Sequence, residues 1–176
     1  MRVVAGELGG RRLASPPRRS AEVRPTSDRA REALFAILGD VSGASVLDLY
    51  CGTGALAIEA LSRGAASAVL VDTQPRLAQR NVADLGLDDR CRVLRSDALR
   101  FLARSRKRFD LILCDPPYGR VAGLGADLER LLAPRLAAGG RIVVESAARG
   151  PLDLSLPVVA ERRFGEALIR IHASHE

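Results

Sequence analysis

The chain has 176 residues, of which 47% are hydrophobic, and its formal net charge is +6. This length suits one compact domain and leaves no room for the second domain of a typical dehydrogenase. The longest apolar runs are strand-sized and no signal-like apolar segment opens the chain, so we expect a cytoplasmic protein without a membrane span or signal peptide. The three cysteines form no Cys-x-x-Cys pair, which argues against a disulfide framework or a metal site.

Positive charge is concentrated near the N-terminus, where the first 24 residues hold six arginines and two glutamates. Such clustering favours a phosphate-binding surface over a uniformly basic shell. The segments 3–5 (Val-Val-Ala) and 12–14 (Arg-Leu-Ala), separated by glycines, predict a small β-hairpin, and a Pro-rich linker follows at 15–25. We therefore divide the chain into a basic N-terminal extension, residues 1–25, and a main domain, residues 26–176.

A helix is predicted at 27–38 because its apolar residues recur at helical spacing, which leaves Arg29, Arg31 and Glu32 off the apolar face. That face consists of Ala30, Ala33, Leu34, Ile37 and Leu38. Beyond this helix, apolar strands alternate with helical patterns, as expected for a mostly parallel, doubly wound sheet. The predicted strands cover 45–49, 67–72, 91–95, 109–114 and 140–145, and a terminal hairpin covers 158–162 and 167–172.

The strand at 45–49 leads into a glycine turn, Cys51-Gly52-Thr53-Gly54, and then into a helical pattern at 55–63. Glycine lets the backbone approach a ligand closely, and a helix N-terminus offers unpaired N–H groups to an anion. The loose G-x-G-x-x-A fingerprint at 52–57 also fits a dinucleotide-binding fold. Asp48 favours a ligand that carries an ammonium group, because a carboxylate there is poorly placed beside a pyrophosphate.

Two further acids end the next two strands. Asp72 closes the apolar run at 68–71 and would accept both ribose hydroxyls of a nucleoside from the adjacent strand end; its alternative role is a solvated strand-end acid. Asp97, just before Ala98, would meet the adenine amine. It is equally well placed to cap a helix at 98–103.

The strand at 109–114 ends in Asp115-Pro116-Pro117-Tyr118, which resembles the active-site motif of methyltransferases that act on an exocyclic amine. The lone pair of such an amine is delocalised into the base. The Asp115 carboxylate and the Pro116 carbonyl would accept its two N–H bonds and stabilise the charge that grows on nitrogen. Tyr118 would stack on the base. The alternative is an ordinary strand-ending turn.

Taken together, these segments resemble the RsmD-type family of bacterial small-subunit rRNA guanine-N2 methyltransferases over nearly the whole chain. The run from Arg24 to Phe35 is the most specific of them. The others are 9–13, 47–56, 59–65, 115–118 and 143–146. The chain departs from the family pattern at Gln74, where many relatives carry a second acid, and at 164–166, where Tyr-Gly-x-Thr is more usual.

The resemblance implies a Rossmann-like class I fold with a seven-stranded, mostly parallel sheet and an antiparallel last strand. It also implies S-adenosyl-L-methionine as cofactor and, as substrate, one guanine of 16S rRNA within the small ribosomal subunit or its assembly intermediate. The expected cofactor-binding residues are Asp48, Gly52, Gly54, Asp72, Asp97 and Ala98. Those expected to hold the base are Asp115, Pro116 and Tyr118. Those expected to meet rRNA are Arg11, Arg12, Arg24, Thr26 and Arg29.

Two other functions remain open at this stage. DNA adenine-N6 methylation uses the same Asp-Pro-Pro-Tyr chemistry, but such enzymes usually carry a separate target-recognition region, for which this chain has no room. A non-catalytic RNA-binding assembly factor is the other alternative, and the intact set of Asp48, the glycine turn and Asp115 argues against it. We expect a monomer that holds no metal.

Overall fold

The computed structural model describes residues 1–16, 27–117 and 124–174. Its helices are α1 (Asp28–Leu38), α2 (Ala55–Ser62), α3 (Arg76–Asp84), α4 (Ala98–Arg104) and α5 (Leu124–Leu132), with a 3-10 turn at Ala133–Arg135. Its strands are β1 (Ser45–Leu49), β2 (Ser67–Asp72), β3 (Cys91–Arg95), β4 (Phe109–Cys114), β5 (Leu136–Ala147), β6 (Val158–Phe164) and β7 (Ala167–Ala173). No helix in these ranges is long and apolar enough to cross a membrane.

The strands form one seven-stranded sheet in the order β3-β2-β1-β4-β5-β7-β6. Strands β1 to β5 are parallel, and β7 runs antiparallel to both β5 and β6. The predicted doubly wound sheet with an antiparallel last strand is therefore confirmed. Parallel strands are buried on both faces, which is why β1, β2 and β4 appear in the sequence as nearly continuous apolar runs.

Helices cover both faces of the sheet and bury two apolar clusters. Val46 of β1 packs in the cluster that contains Leu34 of α1 and Ile58 of α2. Leu47, one residue later, packs in the opposite cluster with Leu102 of α4. Because successive side chains of a strand point to opposite faces, Asp48 lies on the α2 side of the sheet.

Strand β5 is longer than predicted, covering Leu136–Ala147 instead of 140–145. Its first residues, Ala137, Ala138, Gly139 and Gly140, have low strand propensity and carry no apolar pattern. Tertiary pairing overrides this preference, because Leu136 pairs with Phe109 across a register shift in the β4–β5 ladder. β6 and β7 likewise extend beyond their predicted ends.

The prediction that Arg31 lies off the buried face of α1 was wrong. Arg31 is fully buried, and its Nη2 donates to Asp28 Oδ1 at 2.5 Å and to the backbone oxygen of Arg2 at 2.6 Å. Helical periodicity could not show this, because the covering surface comes from the N-terminal segment rather than from the helix itself.

The N-terminal segment folds back on itself through an antiparallel bridge between Arg2 and Arg12. The predicted pairing of 3–5 with 12–14 has the wrong register. Leu13 N donates to the Met1 backbone oxygen and Val3 N to that of Arg11, so the pairing is centred on Arg2 and Arg12. The backbone N–H groups of Val4 and Ala5 turn instead to the Glu59 carboxylate of α2, at 2.7 and 3.0 Å. The segment is thus anchored to the helix that follows the glycine turn.

We expect Glu59→Ala to release this segment from α2. Glu59 is fully buried and also accepts a hydrogen bond from Arg63 Nε at 2.8 Å, and each buried donor left without an acceptor costs about 1–3 kcal/mol. Limited proteolysis with mass mapping should show faster cleavage within residues 1–14. Arg63→Ala, which keeps the carboxylate, is the control and should cleave at nearly the wild-type rate. Equal cleavage rates for Glu59→Ala and wild type would contradict this role.

Candidate active site

The loop between β1 and α2 has an unusual backbone. Gly52 and Gly54 have φ of 54° and 75°, and Tyr50, at φ 60°, is the one non-glycine residue with positive φ in the part of the chain that the structure describes. A Cβ added to Gly54 would lie 2.7 Å from Leu70 Cδ2, so a larger residue there would have to displace the Leu70 side chain of β2. A Cβ on Gly52 would meet open space, so the backbone there is accessible to a ligand.

Asp48 is a buried carboxylate beneath this loop, 3% exposed. Its Oδ2 accepts a hydrogen bond from Ala57 N at 3.3 Å, in the first turn of α2. Burial raises the pKa of Asp48 to about 7, the Ala57 hydrogen bond opposes this rise, and the nearby Asp72 carboxylate adds to it. A cationic group bound beside Asp48 would favour the ionised form.

Asp72 ends β2 and is partly exposed. One oxygen accepts from Gly52 N at 2.9 Å and the other from Gln74 N at 2.8 Å, so the carboxylate ties the glycine loop to the turn after β2. An ionised carboxylate has about four acceptor sites, which leaves capacity for ribose hydroxyls.

Asp97 caps α4, as the alternative in the sequence analysis predicted. Its Oδ1 accepts from Arg100 N at 3.1 Å, and Ala98 behind it is buried. Ser96 N donates to the backbone oxygen of Asp72 at 3.0 Å, which brings the ends of β2 and β3 together. The cap leaves the second carboxylate oxygen of Asp97 available to a further donor.

Asp115 follows β4, beside the end of β1, where its N–H is 3.5 Å from the Leu49 backbone oxygen. Burial in the fold raises the pKa of Asp115 well above its ordinary value, and the carboxylates of Glu145 and Asp48 raise it further. Pro116 is buried and Pro117 is exposed. Tyr118 lies outside the described residues.

The predicted site residues that the structure describes converge at one edge of the sheet. Asp48 and the glycine loop, Asp72, Asp97 and Asp115 follow or end the four neighbouring parallel strands β1, β2, β3 and β4. Sequence reasoning assigned no role to Glu145, a buried acid of β5 that acts on Asp115. A sequence signal for it existed, because Glu145 directly follows the apolar run at 142–144, as Asp115 follows the run at 111–114.

The predicted RNA-binding arginines are exposed where the structure describes them. Arg11 and Arg12 lie in the N-terminal segment and Arg29 in the first turn of α1. Arg11 Nη2 donates to the Asp84 backbone oxygen at 3.4 Å, at the end of α3. Arg24 and Thr26 fall outside the described residues.

A cavity of about 540 Å³ adjoins the site beyond Asp72. It is lined by Thr73, Gln74, Pro75, Arg76, Gln79 and Arg95, a polar and basic set with no acid. Within 1–16, 27–117 and 124–174, no group of three or more His, Cys, Asp or Glu side chains is arranged to hold a metal ion.

The strand order, the glycine loop after β1 and the acids at the ends of the parallel strands define the Rossmann-like class I methyltransferase fold. The family model described as "Conserved hypothetical protein 95" matches residues 1–173, and the chain belongs to this family.

The sequence relatives agree with this assignment. The Ribosomal RNA small subunit methyltransferase D of Escherichia coli is 40% identical over 124 residues. The match covers 68% of this chain and 61% of that protein, so the chain spans about three fifths of the relative's length. The predicted resemblance to the RsmD-type family is confirmed.

Solved structures show the same fold. The yhhF protein of Escherichia coli matches with a TM-score of 0.84 and 33% identity, over 99% of this chain and 98% of that one. A Streptococcus mutans protein complexed with SAH matches with a TM-score of 0.70 over 86% of this chain and 50% of that one. Its identity of 17% supports the shared fold alone.

We expect Asp48 to make the free energy of unfolding fall as pH rises from about 4 to about 7. In the unfolded chain the carboxyl ionises near its ordinary pKa of 3.8, whereas the folded protein holds the proton until about pH 7. The slope contributed by one such group is about 1.4 kcal/mol per pH unit. Urea unfolding at several pH values should show that Asp48→Asn reduces the fall. Identical pH dependence in wild type and variant would contradict the raised pKa.

Proposed function

We propose that the chain transfers a methyl group from S-adenosyl-L-methionine to the exocyclic N2 amine of a guanine in 16S rRNA of the small ribosomal subunit. One observation carries the proposal: Asp115 and Pro116 lie at the end of β4, directly beside the strand that leads into the glycine loop. Membership of the family that includes an rRNA methyltransferase supports the substrate class.

The residues present fit this cofactor. Open space over Gly52 admits a ligand against the backbone, Asp48 suits an ammonium group, and Asp72 retains acceptors for ribose hydroxyls. Gly54, Asp97 and Ala98 complete the proposed binding set. When bound, S-adenosyl-L-methionine supplies an electrophilic methyl group on a sulfonium sulfur.

The Asp115 carboxylate and the Pro116 carbonyl accept hydrogen bonds from the two N–H groups of the guanine amine. These bonds orient the amine and localise the lone pair on its nitrogen. The amine must lose one proton once its nitrogen carries the methyl group. Burial and the neighbouring acids raise the pKa of Asp115, which makes its carboxylate a stronger acceptor for that proton. Tyr118, three residues further along the chain, is proposed to stack on the base.

The N-terminal extension, residues 1–25, is proposed to guide RNA to this edge of the sheet together with Thr26 and Arg29 of the main domain. Arg11, Arg12 and Arg29 are exposed, and Arg24 and Thr26 are assigned to the same surface from the sequence. Arginine binds phosphate in a bidentate manner, which suits an rRNA backbone. We propose a cytoplasmic monomer that acts on 16S rRNA within the small subunit or its assembly intermediate.

The reaction can be tested by offering labelled S-adenosyl-L-methionine with small subunits that lack the modification, with naked 16S rRNA and with duplex DNA. The product nucleoside is then identified by mass spectrometry. N2-methylguanosine formed on subunits would support the proposal. N6-methyladenine in DNA would replace it with DNA methylation, and cofactor binding without transfer would favour an assembly factor.

Asp115→Ala should lower turnover by a factor of about 100 or more while leaving cofactor affinity nearly unchanged, because it removes an acceptor that stabilises the transition state. Single-turnover rates and calorimetric titration with S-adenosylhomocysteine measure the two quantities. Asp110→Ala is the control, because Asp110 lies at the opposite end of β4 and contacts Ser45. Lost cofactor affinity with retained turnover would refute the role of Asp115.

Replacing both Arg11 and Arg12 by Ala should weaken RNA binding and flatten its salt dependence. For every phosphate that an arginine no longer neutralises, the slope of log K against log salt becomes shallower by roughly 0.7–0.9. Filter binding of labelled 16S rRNA across a salt series measures this slope. An unchanged slope would show that these arginines do not bind phosphate.

A further inference from the structure

Asn81 of α3 joins two parts of the molecule that the proposed function treats separately. It is 1% exposed, and its Oδ1 accepts from Ala14 N at 2.7 Å. Its Nδ2 donates to the Ala14 backbone oxygen at 3.1 Å and to the Thr53 backbone oxygen at 2.9 Å. One buried amide thus holds both the basic N-terminal segment and the glycine loop.

The chemistry of this contact requires an amide. A side-chain amide has one acceptor oxygen and two N–H donors, and all three functions are used here. Aspartate has the same shape but fewer donors: the ionised form has none, and the protonated form has a single O–H for the two carbonyl oxygens of Ala14 and Thr53. A buried carbonyl oxygen without a donor costs free energy of folding. Replacing the amide nitrogen of Asn81 by oxygen is therefore expected to weaken the contact between the segment and the loop.

Both partners of Asn81 belong to proposed binding elements. Thr53 lies between Gly52 and Gly54, the glycines proposed to meet the cofactor. Ala14 lies two residues after Arg12, in the segment proposed to meet rRNA. Other anchors of that segment, at Glu59 and Ser62, attach it to α2 rather than to the loop. The amide of Asn81 is thus a direct hydrogen-bonded route between segment and loop.

We propose that Asn81 is a positioning residue that couples rRNA binding to cofactor binding. RNA bound to the N-terminal segment restricts the motion of Ala14. Because Asn81 is hydrogen-bonded to both Ala14 and Thr53, the loop around Gly52 is restricted as well. This inference rests on the proposed function. By thermodynamic linkage, cofactor binding must then strengthen RNA binding by the same factor.

The coupling is measured as a ratio of two dissociation constants. S-adenosylhomocysteine is titrated calorimetrically into the full chain with and without saturating 16S rRNA, and labelled 16S rRNA is titrated with and without S-adenosylhomocysteine. We expect wild type to show a coupling factor of about 5 or more, the lower end of typical values. In Asn81→Asp the factor should fall close to 1. Ala83→Ser, an exposed change on the same helix and away from the cavity beside Asp72, should keep the wild-type factor.

A second variant separates coupling from folding. Ala14→Pro removes the N–H that donates to Asn81 Oδ1 but leaves the Asn81 contact to Thr53 in place. It should lose coupling while its affinity for S-adenosylhomocysteine alone stays within about twofold of wild type, a readout that mere unfolding would not give.

The failures of the two proposals differ in kind. Wild-type protein that binds neither ligand, or transfers no methyl group, refutes the proposed function. Wild-type protein that binds both ligands and methylates rRNA, but shows the same coupling factor as Asn81→Asp and Ala14→Pro, refutes the role of Asn81 alone.

Discussion

The site depends on a carboxylate buried near the end of β1, the middle one of the five parallel strands. Asp48 stands among the apolar residues of β1, and its hydrogen bond to Ala57 N connects that strand to the first turn of α2. Burying an acid is unfavourable, as its raised pKa shows, and a cationic ligand would relieve that cost. The positive φ at Gly52 and Gly54 lets the loop fold tightly above this acid while leaving the backbone accessible.

The remaining acids are ordered around the same loop. The Asp72 carboxylate, at the end of β2, accepts a hydrogen bond from Gly52 N. Ser96 N, just after β3, donates to the Asp72 backbone oxygen, and Asp115 N donates to the Leu49 backbone oxygen at the end of β1. Burial raises the pKa of Asp115, and the carboxylates of Glu145 and Asp48, on the neighbouring strands β5 and β1, raise it further. The proposed cofactor and base sites therefore share one electrostatic environment.

The N-terminal segment is part of this arrangement rather than a separate tail. Glu59 and Ser62 hold it on α2, Asn81 holds it on α3, and Arg31 of α1 donates to its backbone at Arg2. These contacts are made by polar side chains that are themselves buried, so displacing the segment would leave several of them without partners. A basic surface is thereby placed at a defined position relative to the glycine loop.

Local patterns in the sequence were sufficient for the fold and for expecting the candidate residues at one edge of the sheet. The strands at 45–49, 67–72, 91–95 and 109–114 have their predicted bounds. For β1, β2 and β4 the reason is that strands covered on both faces appear as nearly continuous apolar runs. Acids and glycines at strand ends likewise indicate the candidate site, since the carboxyl ends of parallel strands meet at one edge of the sheet. Only the tertiary structure revealed the burial of Arg31, the extension of β5, the nearness of Glu145 to Asp115 and the hydrogen bonds of Asn81. Each of these features depends on a contact with a residue distant in sequence. The pattern of neighbouring residues along the chain carries no information about such contacts.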